Sequence, residues 1–184
     1  MNFNTPLVEY LIIGFHTTSW LIITIYGFLD LPLTSITKIN PALALLILPI
    51  IYLIGMIFDD LAYHPLKPIS KKIKENIYDS NACKDELIAY ESQVLYVAYE
   101  SRVRRVRIVG AAIFNWPLLG MSIFLHIGFE NLWHTNTTII ISFILSFISY
   151  LTWKNLYRRA YKFRKNACEI ILQDKKDLSI KIVT

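Results

Sequence analysis

Four stretches of this chain run for 17 residues or more without Asp, Glu, Lys or Arg, and no other feature constrains its fold as tightly. Leu11 to Leu29 gives 19 residues, Pro41 to Phe58 gives 18, Ile108 to Phe129 gives 22 and Thr137 to Trp153 gives 17. A helix rising 1.5 Å per residue needs about 20 residues to cross a hydrocarbon core about 30 Å thick, so each run is of bilayer length. A membrane barrel would instead need at least eight short strands of alternating polarity, whereas these runs are continuously apolar. The expected fold class is an all-α integral membrane protein with four transmembrane helices, at 11–29, 41–58, 108–129 and 137–153, forming one membrane domain over residues 1–184. Composition agrees: 18% of residues are charged and the mean hydropathy is +0.42, against about 25% charged in a soluble domain.

Met1 to Tyr10 carries no Lys or Arg, and no small-x-small cleavage site follows Leu29. The first run therefore reads as a retained helix and not as a cleaved signal. The basic residues give the orientation. Of 19 Lys and Arg, nine lie between the second and third runs, nine follow the fourth, and only Lys38 lies in a short loop. Under the positive-inside rule both rich segments and both termini are cytoplasmic. A net charge of +5 could indicate nucleic acid, but these charges cluster where the chain leaves the membrane, so anionic lipid headgroups are the expected partner and direct nucleic-acid binding is not. Tyr150, Trp153 and Tyr157 fall at the same boundary, as an interfacial aromatic belt would. Cys83 and Cys168 lie on the cytoplasmic side without neighbouring Cys or His at ligand spacing, which predicts reduced thiols.

The segment 59–107 is too rich in helical periodicity to be a linker and reads as a cytoplasmic helical hairpin. His64-Pro65 and Lys67-Pro68 are expected to end the second helix, with a separate short basic helix from Ile69 to Tyr78. Neither Gly nor Pro occurs between Lys84 and Gly110, which predicts one long rod leading into the third transmembrane helix. The fourth helix should likewise continue through 154–173, followed by a mobile tail from Leu178. Leu87, Tyr90, Val94 and Val97 form an apolar stripe on the first rod. Trp153, Tyr157 and Tyr161 form one on the second, and together they make a candidate partner or oligomer interface.

Asp59 and Asp60 close the second transmembrane helix, where both the helix dipole and the hydrocarbon edge disfavour carboxylates. Arg102, Arg104, Arg105 and Arg107 reach the same depth on the third helix, so a juxtamembrane ion-pair lock is the first reading of these residues. A second reading places Asp60 and His64, at i and i+4, around a divalent metal or in acid and base roles with Asp59. In a third, a ligand or partner displaces the ion pair as a switch. Inside the membrane the polar groups are mild: His16, Thr17, Thr18 and Ser19; Asn115, Ser122 and His126; Ser142, Ser146 and Ser149. They read as packing surfaces. Pro49 and Trp116-Pro117 mark candidate kinks. No His-Glu-x-x-His, Gly-x-Ser-x-Gly or nucleotide-binding glycine loop occurs, so the sequence predicts neither an enzyme nor a bound cofactor.

Gly55-x-x-x-Asp59-Asp60 closing the second helix, and Ser101-Arg102-x-Arg104-x-x-Arg107 opening the third, occur on a plan of four short-looped helices with a cytoplasmic helical hairpin. In this the chain resembles the small four-helix membrane subunits of bacterial antiphage defence systems of the Kiwa type. The resemblance implies a homo-oligomeric sensor or effector in the bacterial inner membrane, working with a cytoplasmic protein. Three functions compete: a non-enzymatic sensor or scaffold that presents its cytoplasmic bundle to a soluble partner; an oligomer that opens a depolarising pore; and a membrane enzyme using Asp59, Asp60 and His64. The lack of a continuous polar stripe on any helix favours the first.

Overall fold

The computed structural model describes residues 4–29, 41–77, 88–89, 91–127 and 132–183. Among them the chain forms four long helices: α1 (Asn4–Phe28), α2 (Pro41–Glu75), α3 (Gln93–Ile127) and α4 (Leu132–Val183). Each contains a stretch long and apolar enough to cross a membrane. The protein is a multi-pass, all-helical membrane protein.

The chain divides into two units. The first comprises residues 1–66 and 107–153, the second residues 67–106 and 154–184. The partition follows charge: 17 of the 19 Lys and Arg belong to the second unit, leaving Lys38 and Arg107 in the first.

In the first unit Ile13, Phe58, Ala62 and Ala111 make a buried core, with Trp20, Ile108, Phe114 and Leu118 packed around it. Its outer face is hydrocarbon, including Phe15, Ile25, Leu53, Ile57, Phe143 and Phe147, each about half exposed or more. Such a surface suits lipid and not water. Helices α1 and α2 touch backbone to backbone. A Cβ on Gly14 would overlap the Ile51 carbonyl oxygen, and one on Gly55 would overlap that of Tyr10. Without a hydrophobic force between helices in lipid, close approach through small residues is a main source of association.

Pro117 lies inside α3 and lacks the N–H that would bond the Ile113 carbonyl. The Ser146 hydroxyl of α4 donates to that carbonyl at 2.6 Å. A neighbouring helix thus satisfies the acceptor that proline leaves free, which is how membrane helices tolerate the residue.

In the second unit Ile88, Ala167, Cys168 and Ile171 form the core, with Leu95 and Tyr96 against it. Arg102 lies 3.9 Å above the Phe163 ring, and the Tyr157 and Tyr161 rings are 4.7 Å apart.

Four expectations are corrected. Pro65 and Pro68 do not end α2, which is helical without a break to Glu75. Both prolines are exposed, while Ala62, Leu66, Ser70 and Ile73 stay buried at helical spacing on another face. Burial of that face offsets the roughly 3 kcal/mol that an interior proline costs. The rod expected from Lys84 is interrupted at Ser92, where α3 is capped: the Leu95 N–H donates to the Ser92 hydroxyl at 3.4 Å. Leu178 to Val183 belong to α4 and not to an irregular tail. Cys168 is disulfide-bonded where a reduced thiol was expected; Cys83 lies outside the described residues.

Candidate functional site: a charge cluster joining three helices

Four side chains from three helices converge in the first unit: Glu9 and Tyr10 of α1, Asp59 of α2 and Arg107 of α3. Each stands where an apolar run meets its flank. Glu9 and Tyr10 precede Leu11, Asp59 follows Phe58 and Arg107 precedes Ile108. Arg107 donates from Nε to Asp59 Oδ2 at 2.8 Å and from Nη2 to the same oxygen. Its Nη2 also donates to the Tyr10 hydroxyl at 2.6 Å, and the guanidinium lies 5.1 Å above the Tyr10 ring. Glu9 Oε1 is 3.3 Å from Arg107 Nε. Asp59 and Glu9 are 6% and 2% exposed. Two carboxylates at such burial are tolerable only beside a hydrogen-bonded cation.

The ion-pair expectation therefore resolves to one arginine and one aspartate, with a glutamate and a tyrosine added. Arg107 is on the inward face of α3, four and eight residues before buried Ala111 and Asn115. Arg102 points elsewhere, onto Phe163 and the Ala98 carbonyl, 2.7 Å away. Arg104 pairs with Glu100 at 3.3 Å, one turn back on its own helix. Arg105 and Asp60 are exposed. His64 is exposed too, and its Nδ1 meets the Asp60 backbone carbonyl at 2.8 Å, so that ring nitrogen faces a peptide oxygen. Among the described residues no three His, Cys, Asp or Glu side chains are grouped to hold a metal.

Toward the middle of the same unit the cluster is followed by two neutral polar rungs between α1 and α3. Asn115 Oδ1 accepts from Trp20 Nε1 at 2.8 Å and lies 3.2 Å from the Thr17 hydroxyl. Thr24 and Ser122 join hydroxyl to hydroxyl at 2.7 Å. With Tyr10 and Arg107, the α1 members stand at 10, 17 and 24, a repeat of seven. Their α3 partners stand at 107, 115 and 122. This is the seam of two parallel helices. The repeat of seven in α1 was visible in the sequence, where Thr17 and Ser122 read only as packing. Glu9 and Tyr10 were missed because they stand before the first apolar run, where flanking polar residues are unremarkable.

Of the expected interface, Val94 is 79% exposed and Val97 half exposed, whereas Tyr157 is buried and Tyr161 half-buried. Leu87 and Tyr90 lie outside the described residues. Trp153 is 3% exposed and lies beside Gly110, so neither it nor Tyr157 belongs to an outward aromatic belt.

No family model, characterised protein or solved structure matches this chain. Asp59 and Glu9 are engaged by the Arg107 guanidinium, and the cluster is a clasp between helices.

Proposed function

We propose that the protein is a non-enzymatic, oligomeric sensor or scaffold of the bacterial inner membrane, with both termini cytoplasmic, that presents its basic helical unit to a soluble protein. The observation that carries this reading is the exposed apolar surface of that unit. Val94, Val97, Ile170 and Leu172 are each half exposed or more, in the unit that holds 17 of the 19 basic residues. Hydrocarbon explains exposed Ile and Phe on the first unit; on a charged unit, large exposed aliphatic side chains mark an interaction surface. A role in antiphage defence comes from the resemblance to Kiwa-type membrane subunits.

The α4 surface supports a scaffold over a pore. Every exposed residue of α4 between 140 and 151 is Ile, Phe or Leu, and an aqueous lining needs polar side chains there. The engagement of Asp59 by Arg107 and of His64 by a backbone carbonyl supports a scaffold over an enzyme.

Mass measurement in nanodiscs tests the proposal, with phage plating efficiency of cells expressing the chain with its neighbouring genes as the functional readout. Wild type should be a closed homo-oligomer, and Val94→Glu should lower its mass or abolish protection while His64→Ala preserves both. A monomeric wild type, or loss of protection from His64→Ala alone, would contradict it.

A further inference from the structure

We infer that α4 carries a binding surface for anionic lipid headgroups centred on Arg158, Arg159 and Lys162. The argument starts from the exposed stripe of that helix. Ile144, Ile148, Leu151, Asn155, Arg158 and Lys162 are all exposed and succeed one another at intervals of four and three, so they share one face. Along that face the chemistry changes once, from hydrocarbon up to Leu151 to polar and basic from Asn155. Arg159, also exposed, widens the basic end.

Distance along the helix fixes what meets the basic end. From Leu151 to Arg158 is seven residues, about 10 Å. The headgroup region on each side of the hydrocarbon is roughly 5 to 8 Å deep. With Leu151 at the hydrocarbon edge, the flexible Arg158 and Arg159 side chains fall within reach of lipid phosphates by extending back along the helix, and Lys162, about 16 Å from Leu151, stands outside that layer but within a Debye length of the phosphates. No counter-charge lies within a turn of these residues along the helix, because residues 131–168 contain no Asp or Glu. Among the described residues no carboxylate pairs with Arg158, Arg159 or Lys162, whereas Lys165 pairs with Glu169. Guanidinium groups suit phosphate geometry through paired N–H donors.

This places headgroup recognition on α4 and away from most of the α3 arginines. Arg102, Arg104 and Arg107 are occupied by Phe163, Glu100 and Asp59. The inference rests on the membrane reading of the fold and is independent of the sensor proposal.

Lipid retention by the full chain tests it. Protein purified from nanodiscs of mixed phosphatidylcholine and phosphatidylglycerol should retain phosphatidylglycerol preferentially, as read by mass spectrometry of bound lipid. Combined Arg158→Gln, Arg159→Gln and Lys162→Gln should lower that preference by roughly fivefold per charge removed, while Arg158→Lys with Arg159→Lys keeps most of it. Added salt should weaken the preference, and soluble glycerophosphate should not displace the lipid. A preference absent from wild type, unchanged in the triple variant, or abolished by glycerophosphate would overturn the assignment.

Discussion

Arg107 is the residue on which the first unit turns, because one guanidinium serves a carboxylate on α2, a carboxylate on α1 and a phenol on α1. Removing one member of such a cluster leaves a buried charge without its partner, which costs about 3 kcal/mol or more. Asp59→Asn and Arg107→Gln should each lower the melting temperature of the detergent-solubilised protein. The double variant should recover part of the loss, although Glu9 still lacks its cation. Additive losses in the double-mutant cycle would show that the pair is not coupled. Asp59 and Arg107 were legible in the sequence because charges abutting apolar runs stand out. That Arg107 and not Arg102, Arg104 or Arg105 reaches Asp59 was not. A shift of two or three residues turns a side chain by roughly 200 or 300 degrees around a helix, and only packing decides which face looks inward.

At the scale of the element, the proline rules that locate helix ends in water lose force where burial and neighbouring helices compensate. Pro65 and Pro68 predicted a turn, yet α2 continues because they stand on its exposed face while Ala62, Leu66, Ser70 and Ile73 remain covered. Pro117 is accommodated by a different device, the Ser146 hydroxyl on the Ile113 carbonyl. Ser146→Ala should therefore destabilise the protein by about 1 kcal/mol, the order of an interhelical hydrogen bond in a bilayer. With Pro117→Ala as background the carbonyl regains its own helical N–H, and the same change should cost much less. An equal cost in both backgrounds, measured by steric-trap or denaturant unfolding, would contradict the coupling. The four spans were legible from length and charge alone. The break at Ser92 was less so, because a lone serine caps a helix only when its hydroxyl finds the N–H three residues on.

For the whole molecule, the structure divides the chain into a unit with almost no basic residues and a helical unit that holds nearly all of them. The side of the membrane on which the basic unit lies is the central claim, since the proposed soluble partner and the proposed defence role both require the cytoplasm. Two features bear on it in opposite directions. Under the positive-inside rule the distribution of Lys and Arg favours the cytoplasmic side for this unit, whereas a disulfide such as that of Cys168 is favoured in an oxidising compartment. Charge acts on every segment as it inserts, while one bond depends on redox poise after insertion, so the charge distribution is the stronger determinant. Paired reporter fusions, active respectively only in the cytoplasm and only in the periplasm, measure this directly at Asn81, Asn136 and Thr184. The account predicts cytoplasmic activity at Asn81 and Thr184 and periplasmic activity at Asn136; periplasmic activity at Asn81 would contradict it.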